Sequence, residues 1–380
     1  MDTIMNTMLK SGLSILSVFL LIVACAEKPD MNGDKVDETA NYTPELYFDG
    51  VNIPWGMTWL PNGDMLVTDR SGKLYKVRDG ELNAEISGVP DVYAEGQGGL
   101  LDVALHPQYE SNGWVYIAYS STQGMEEGAN TAIMRAKIED NALVQSQVLY
   151  KATPNTTRGQ HYAGRIAFDK EGYLYFSVGD RGNRDVNPQD LSRDGGKIYR
   201  LNDDGSIPSD NPFVGQNEAK EAVYSYGHRN PQGMTMHPET GQIWAHEHGP
   251  RGGDELNLIE AGNNYGWPVI SYGINYNGTP FTDITEKEGM EQPKTYWDPS
   301  IAPSGLDFIT SDLYPAWQGK ALVGSLKFGY LVLVEFDGTD VTNRTIVLED
   351  IGRTRDVRQA PDGYIYVAVE GKGIYKIMPE

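Results

Sequence analysis

Cysteine is almost absent from this chain: of 380 residues, only Cys25 carries a thiol. No intramolecular disulfide is available, so stability must come from core, size or bound metal. Positive charge is scarce as well. Lys and Arg number 31 against 53 Asp and Glu, a formal net charge of -22. Such a surface repels phosphate and argues against a nucleic-acid partner. The acid is spread along the chain rather than gathered in a tail, which fits a solvated surface or sites for divalent cations. Helix-length periodicity is missing throughout the chain after its first 45 residues.

One apolar run, LSILSVFLLIVA, follows Lys10 and ends at Cys25. It is too short, and too closely followed by polar sequence, to favour a spanning helix. It resembles a bacterial lipoprotein signal, in which the cysteine is lipidated and becomes the mature N-terminus. An ordinary signal peptide with an incidental cysteine is the alternative. Residues 26–45 are rich in Pro, Asn, Asp and Glu and read as a flexible tether. The expected organisation is a signal peptide at 1–25, a tether at 26–45 and one domain at 46–380. Its expected location is exported, either periplasmic or anchored to the outer membrane as a lipoprotein.

Within that domain a theme recurs. A Gly or Arg lead is followed by a short apolar run, a turn with Pro, Asp, Asn or Gly, and an alternating run rich in Tyr, Val and Ile. Copies begin at Gly56, Gly99, Gly164, Gly233, Gly305 and Arg355. Alternation puts every second residue on one face, and the turn residues make hairpins. Six copies of a hairpin unit predict an all-β fold, a six-bladed β-propeller. Spacings of roughly 40 to 70 residues leave long loops to form the mouth of a central site. A pair of β-sandwiches is the alternative, made less apt by six copies of one theme.

Four polar clusters adjoin these copies. Glu95-Gly96-Gln97-Gly98-Gly99 is, on its own, a Gly-rich turn. His161 precedes Gly164-Arg165, and Asp180 stands at the far end of the same strand pair, where a hairpin would return it near His161. A carboxylate on one imidazole nitrogen fixes the tautomer and makes the other a better base.

The third cluster is Tyr224–Pro268, the most polar loop region of the chain. Arg229 and Asn230 supply a guanidinium and an amide suited to carbonyl or anionic oxygens. Gly249 and Pro250 offer main-chain carbonyls to a hard cation such as Ca²⁺. Asp254 would orient the base or a ligand. His246 and His248 share one strand face without a third ligand nearby in sequence, which disfavours zinc. The fourth cluster is cationic: Lys327, Arg353 and Arg355 are either solvated surface charges or, brought together, a pocket for a polyanion.

These motifs, as a set and in order, resemble the soluble pyrroloquinoline quinone (PQQ)-dependent sugar dehydrogenases, most closely the bacterial aldose sugar dehydrogenase branch. The motifs are GQGGLLDVALHP, H-x-x-G-R, SYGHRNPQGM, EHGPRGGDELN, NYGWP, SLK and RTRDV-x-x-x-PDG, spread from Asn52 to Ile377. The resemblance implies PQQ and Ca²⁺ as cofactors and an aldose as substrate. His161 would be the general base that removes the sugar C1 hydroxyl proton as the C1 hydride passes to C5 of the quinone. Asp180 would be the carboxylate near that base. Gln97, Arg229 and Asn230 would contact the cofactor, Gly249 and Pro250 would bind Ca²⁺, and Lys327, Arg353 and Arg355 would pair with the cofactor's carboxylates.

In the glucose-oxidising branch the region matching Tyr296-Trp297-Asp298-Pro299-Ser300 lines the sugar site, which implies Asp254 and Trp297 near the substrate. The match there is offset by one residue, so the resemblance does not fix the sugar. A membrane quinone or a cytochrome would be the electron acceptor, reached from a lipid anchor at Cys25. Two other function classes stand beside this one. A non-catalytic carbohydrate- or protein-binding propeller would have no reason to keep His161, Arg229 and three cations together. A Ca²⁺-dependent propeller lactonase would need side-chain carboxylates around a central metal.

Overall fold

The computed structural model describes residues 35–36 and 42–379. Cys25, the segment expected to be a signal peptide and most of the expected tether lie outside the described residues. Each copy of the repeat becomes a four-stranded antiparallel sheet, and six such sheets form a β-propeller. The first blade is built from Pro54–Trp59, Met65–Asp69, Lys73–Arg78 and Glu81–Ile86. The second uses Leu100–Leu105, Val115–Ser121, Asn130–Glu139 and Ala142–Lys151. The third uses Ile166–Phe168, Leu174–Val178, Lys197–Leu201 and Val223–Tyr226. The fourth uses Pro231–Met236, Ile243–Glu247, Asp254–Ile259 and Thr295–Trp297. The fifth uses Pro303–Phe308, Ala321–Ser325, Leu331–Asp337 and Asp340–Val347, whose outer edge also takes Lys35–Val36 as a short parallel strand.

The sixth blade closes the ring. Thr354–Gln359, Ile365–Val369 and Gly373–Pro379 are joined by Tyr42–Phe48, which pairs antiparallel with the last strand from Tyr42 opposite Pro379 to Phe48 opposite Ile374. The domain's first strand therefore starts inside the segment expected to be tether, four residues before the expected boundary at 46. YTPELYF alternates only loosely, which hid it among polar neighbours. The first strand of every blade touches the first strand of the next, all the way round the axis.

The packing explains why these sequences suit this architecture. The second strand of every blade, such as LYFSV or IYVAV, is buried along its whole length. A blade sandwiched between two neighbours has no wet face there, so β-branched and aromatic residues fill both sides. The outer strand ELNAEI is mostly exposed by contrast. The apolar core is divided into six clusters, each spanning the seam between adjacent blades. Leu174, Phe176 and Tyr199 pack on Leu101, Tyr116 and Ile133, and Val357, Ile365 and Val367 pack on Leu322, Leu331 and Leu333.

Five of the six inner strands carry a register shift near their start, at Pro54/Met57, Leu100/Val103, Pro231/Gly233, Ser304/Leu306 and Thr354/Asp356. Bulges re-aim side chains, and here Asp102 and Asp356 come from bulged segments to meet Arg165 on the axis. Arg165 Nη1 lies 3.0 Å from Asp356 Oδ1 and 3.3 Å from Asp102 Oδ1, and all three side chains are fully buried. Arg165 also donates from Nε to Gln232 O at 3.1 Å and stacks over Trp55 at 4.2 Å. Met57 N and Ile166 N donate to Asp356 and Asp102, respectively.

Arg358 also lies 3.3 Å from Asp356 and 3.8 Å from Asp102, so removing Arg165 would leave two fully buried carboxylates to share one guanidinium, a costly loss in a buried ion network. Arg165→Met should therefore lower unfolding free energy by about 3–5 kcal/mol, measured from urea midpoints. A loss below about 1 kcal/mol, the range of exposed pairs, would show that the network does not hold the blades together.

Candidate active site

The site sits where the third blade begins. Backbone pairing of the hairpin 166–178 continues outward, with Gly164 N donating to Ser177 O and Gly179 N to Tyr162 O. That pairing returns Asp180 beside His161, as the spacing predicts. Imidazole Nδ1 lies 2.6 Å from Asp180 Oδ1. Oδ1 also accepts from Gly182 N at 2.7 Å, and Oδ2 accepts from Trp267 Nε1 at 2.9 Å. Gly179 has to be glycine here, since a Cβ would stand 2.2 Å from His161 O.

The electrostatics of the pair settle its protonation. Burial raises the Asp180 carboxyl, but the hydrogen bond and charge of His161 outweigh it and hold the group below the usual carboxylate range. Burial lowers His161, opposed by Asp180 and reinforced by Arg229. An ionised Asp180 accepts a hydrogen bond from Nδ1–H of a neutral imidazole, which leaves the Nε2 lone pair free for a substrate proton.

His161 opens onto a cavity of about 450 Å³ lined by Gln97, Gln160, Asp180, Arg184, Asp185, Arg229, Trp267 and Tyr276, among others. Gln97 Oε1 accepts from His161 N at 2.7 Å, so Gln97 both faces the cavity and holds the base. Arg229 donates from Nη1 to His248 O at 3.0 Å, and its guanidinium lies 5.3 Å from the Trp267 ring. A second cavity, about 700 Å³, shares Gln97, Pro250 and Tyr276 with the first. Its wall holds Lys327, Arg353 and Arg355, brought from two blades, together with Arg70 and Arg251. The sequence left open whether the three cations stand apart on the surface; the fold gathers them.

Glu370 is the member that sequence reasoning missed. It pairs with Arg353 at 2.8 Å and with Arg355, which donates from Nε at 3.1 Å. Burial would raise its carboxyl, but Arg355 and Arg353 hold it below the usual range. The signal was the end of the alternating strand IYVAVEG, one strand across from Arg355. Trp267 was quoted within NYGWP without a role; its indole N–H grips Asp180.

Gly249 and Pro250 lie in the turn after the fourth blade's second strand. Gly249 N is pinned by Asp254 Oδ1 at 2.7 Å, and a Cβ on Gly249 would stand 2.2 Å from Gly252 O. Neither the Gly249 nor the Pro250 carbonyl accepts a hydrogen bond from a described residue. Among the described residues no group of three His, Cys, Asp or Glu side chains is arranged to hold a metal. A cation bound here would take uncharged oxygen ligands, which suits Ca²⁺ rather than zinc.

Three expectations change. Asp254 reaches no cavity: it is fully buried and accepts from Gly249 N, Ala302 N and Ser300 Oγ. Burial lifts its carboxyl to about 6 against those hydrogen bonds. It is a turn anchor rather than a substrate ligand. Trp297 is also buried, in the seam between the fourth and fifth blades with Trp244, Leu256 and Phe308, so it does not contact substrate. Asn230 is fully buried and lines neither cavity. Its Oδ1 accepts from Ala163 N at 3.1 Å, while Nδ2 has no partner. His246 and His248 have their Nε2 atoms 2.9 Å from Gly305 O and Pro303 O, respectively; His246 lines neither cavity, whereas His248 lines the second.

The family model "Glucose / Sorbosone dehydrogenase" matches residues 51–376. The aldose sugar dehydrogenase YliI of Escherichia coli is 41% identical over 338 residues, covering 87% of this chain and 91% of that protein. The crystal structure of the soluble aldose sugar dehydrogenase from Escherichia coli in the apo-form matches with a TM-score of 0.86 and 40% identity, over 90% of this chain and 100% of that one. The PQQ-bound form of the aldose sugar dehydrogenase from Streptomyces coelicolor matches with a TM-score of 0.73 and 29% identity, over 89% and 98%. Sequence and fold agree across almost the whole propeller, and the chain belongs to the glucose/sorbosone dehydrogenase family.

Proposed function

We propose that this protein is a PQQ-dependent aldose sugar dehydrogenase that oxidises the C1 hydroxyl of aldoses to lactones. One observation carries the reading: a carboxylate-held imidazole faces one cavity, and the adjoining cavity gathers Lys327, Arg353 and Arg355 in a chain of net charge -22. A base beside a polyanion site is what oxidation of an alcohol by a carboxylated quinone requires. The names of the relatives support the same substrate class and cofactor.

The residues fit such a cofactor. The larger cavity has the size of a small-molecule site. Its three cations would pair with the carboxylates of the quinone, with Glu370 cancelling part of their charge and fixing two guanidinium groups in place. Gly249 and Pro250 would hold Ca²⁺ through carbonyls that make no other bond.

When bound, PQQ supplies the two-electron acceptor, taking the C1 hydride at its C5. The chain does the rest. His161 Nε2 accepts the C1 hydroxyl proton as the C1–H bond breaks and the carbonyl forms. Asp180 stabilises the resulting imidazolium and keeps the ring in one tautomer. Arg229 places positive charge where negative charge develops. Cys25 lipidation would hold the domain beside a membrane quinone or cytochrome that reoxidises the cofactor. That reading rests on the sequence around LSILSVFLLIVAC.

Purified protein reconstituted with PQQ and Ca²⁺ should reduce a dye with at least one aldose from a panel; failure to bind PQQ would end the proposal. His161→Ala should keep PQQ binding, read by absorbance, and lose turnover on the order of 10²–10⁴-fold. Because the base works unprotonated and sits below its ordinary value, kcat/KM should rise with pH through an apparent pKa under about 6.5. Expressed in a bacterium with lipoprotein export, Cys25→Ala should move the protein from the membrane to the soluble exported fraction; unchanged fractionation would remove the anchor.

A further inference from the structure

His161 is held in an uncommon backbone state. Its φ is 58°, and Ala163 two residues on has φ 52°. A non-glycine residue in this left-handed region needs its surroundings to keep it there. Asp180 grips only the ring, and Gln97 only the main-chain N–H. Gln97 N also donates to Gly159 O at 2.7 Å and Thr131 Oγ1 to Tyr162 O at 2.7 Å, which leaves the Arg158 and Gln160 carbonyls to be held.

That role falls to Arg181. Its side chain is 1% exposed. Nη1 donates to Gln160 O, and Nη2 donates to Arg158 O at 2.8 Å and to Ala129 O at 3.4 Å. The guanidinium lies flat against Tyr162, 3.4 Å from its ring centroid. Its two main-chain partners in the 158–162 segment precede His161, and its stacking partner follows it. Among the described residues no carboxylate lies within ion-pair distance of Arg181. A buried guanidinium without an ion-pair partner is costly unless its donors are met by fixed acceptors; here carbonyl oxygens meet Nη1 and Nη2, while Nε has no partner among the described residues.

We propose that Arg181 is the positioning residue for the catalytic base: adjacent residues take the two halves of His161, Asp180 the ring and Arg181 the backbone around it. This inference rests on the reading of His161 as base. Arg181 also bears positive charge that opposes the imidazolium, balanced in part by the neighbouring Asp180. The other charged groups facing His161 are Asp180 on the same loop, Arg229 at the start of the fourth blade, and Arg184 and Asp185 in the cavity wall. Of these Asp180 favours the imidazolium, whereas Arg181 and Arg229 oppose it.

The fork of an arginine reaches two carbonyls in one plane; a lysine ammonium keeps the charge but not the fork. The test therefore uses two variants of the PQQ- and Ca²⁺-loaded protein, Arg181→Lys and Arg181→Met. Their kcat, KM, PQQ absorbance titration, thermal midpoint and pH profile are read. Arg181→Lys should lower kcat on the order of 10–100-fold through misplacement of the base. KM and PQQ affinity should stay within about threefold, and the acid limb of kcat/KM should not move, as the charge is retained. Arg181→Met should lower kcat similarly and move that limb upward by about half a pH unit, as a cation near the imidazole is lost.

Unchanged kcat in folded Arg181→Lys would overturn the proposal. So would a parallel loss of PQQ affinity and kcat, which would make Arg181 a support of the cofactor cavity. An unmoved acid limb in Arg181→Met would remove its electrostatic part. If Arg181→Met does not fold, Arg181→Lys alone decides the positioning role. If His161→Ala stays active, the base reading itself fails. If His161→Ala is dead and Arg181→Lys is not, only the role of Arg181 falls.

Discussion

The ion network on the propeller axis is the constraint on which the rest depends. Arg165 stands between Asp102 and Asp356, all three side chains fully buried. Its other partners draw in the remaining blades: Gln232 O from the fourth, Met57 N from the first through Asp356, and Ser304 Oγ from the fifth through Arg355 O. All six blades thus meet through polar groups that must be satisfied together. Such a network has few alternative arrangements, because each member left unpaired is expensive. It also fills the channel beneath the site. Arg355, whose side chain lines the cofactor-sized cavity, gives its carbonyl to the plug, so the floor of the site and the axis of the fold are one set of atoms.

On that floor the chain solves an electrostatic problem. Most of its surface is acidic, yet one cavity collects cations from several blades. Distance separates the two: exposed charges beyond about 10 Å are largely screened at ordinary ionic strength, so local composition governs the cavity. Glu370 keeps the cations from repelling one another apart while leaving an excess of positive charge. The neighbouring cavity has the opposite need, a neutral base. Burial and the nearby guanidinium groups keep His161 neutral, and Asp180 keeps it aligned.

Much of this was legible in the sequence. The six repeat copies coincide with the six inner hairpins, because alternation and turn chemistry are local signals. The nearness of His161 and Asp180 followed from hairpin geometry. Side-chain direction at strand ends was less accessible. Trp297 lies in a three-residue strand, too short for alternation to show that it faces a seam. Asp254 was read as a ligand because a carboxylate beside Gly and Pro looks free; three main-chain and hydroxyl donors claim it. Arg181 and Glu370 act on partners far away in sequence or on bare carbonyls, which carry no side-chain signature at all.

The closing strand has a consequence for the life of the chain. Tyr42–Phe48 is among the first parts of the propeller to be made, and its partner Gly373–Pro379 is the last. Until synthesis is nearly finished, the first strand has no sheet to join, and the seam between the sixth and first blades, with Phe48 and Met57 against Tyr366 and Ala368, has no second side. The ring is therefore a late, all-at-once event. A chain cut short by even its final strand would keep five complete blades and still lack a circle.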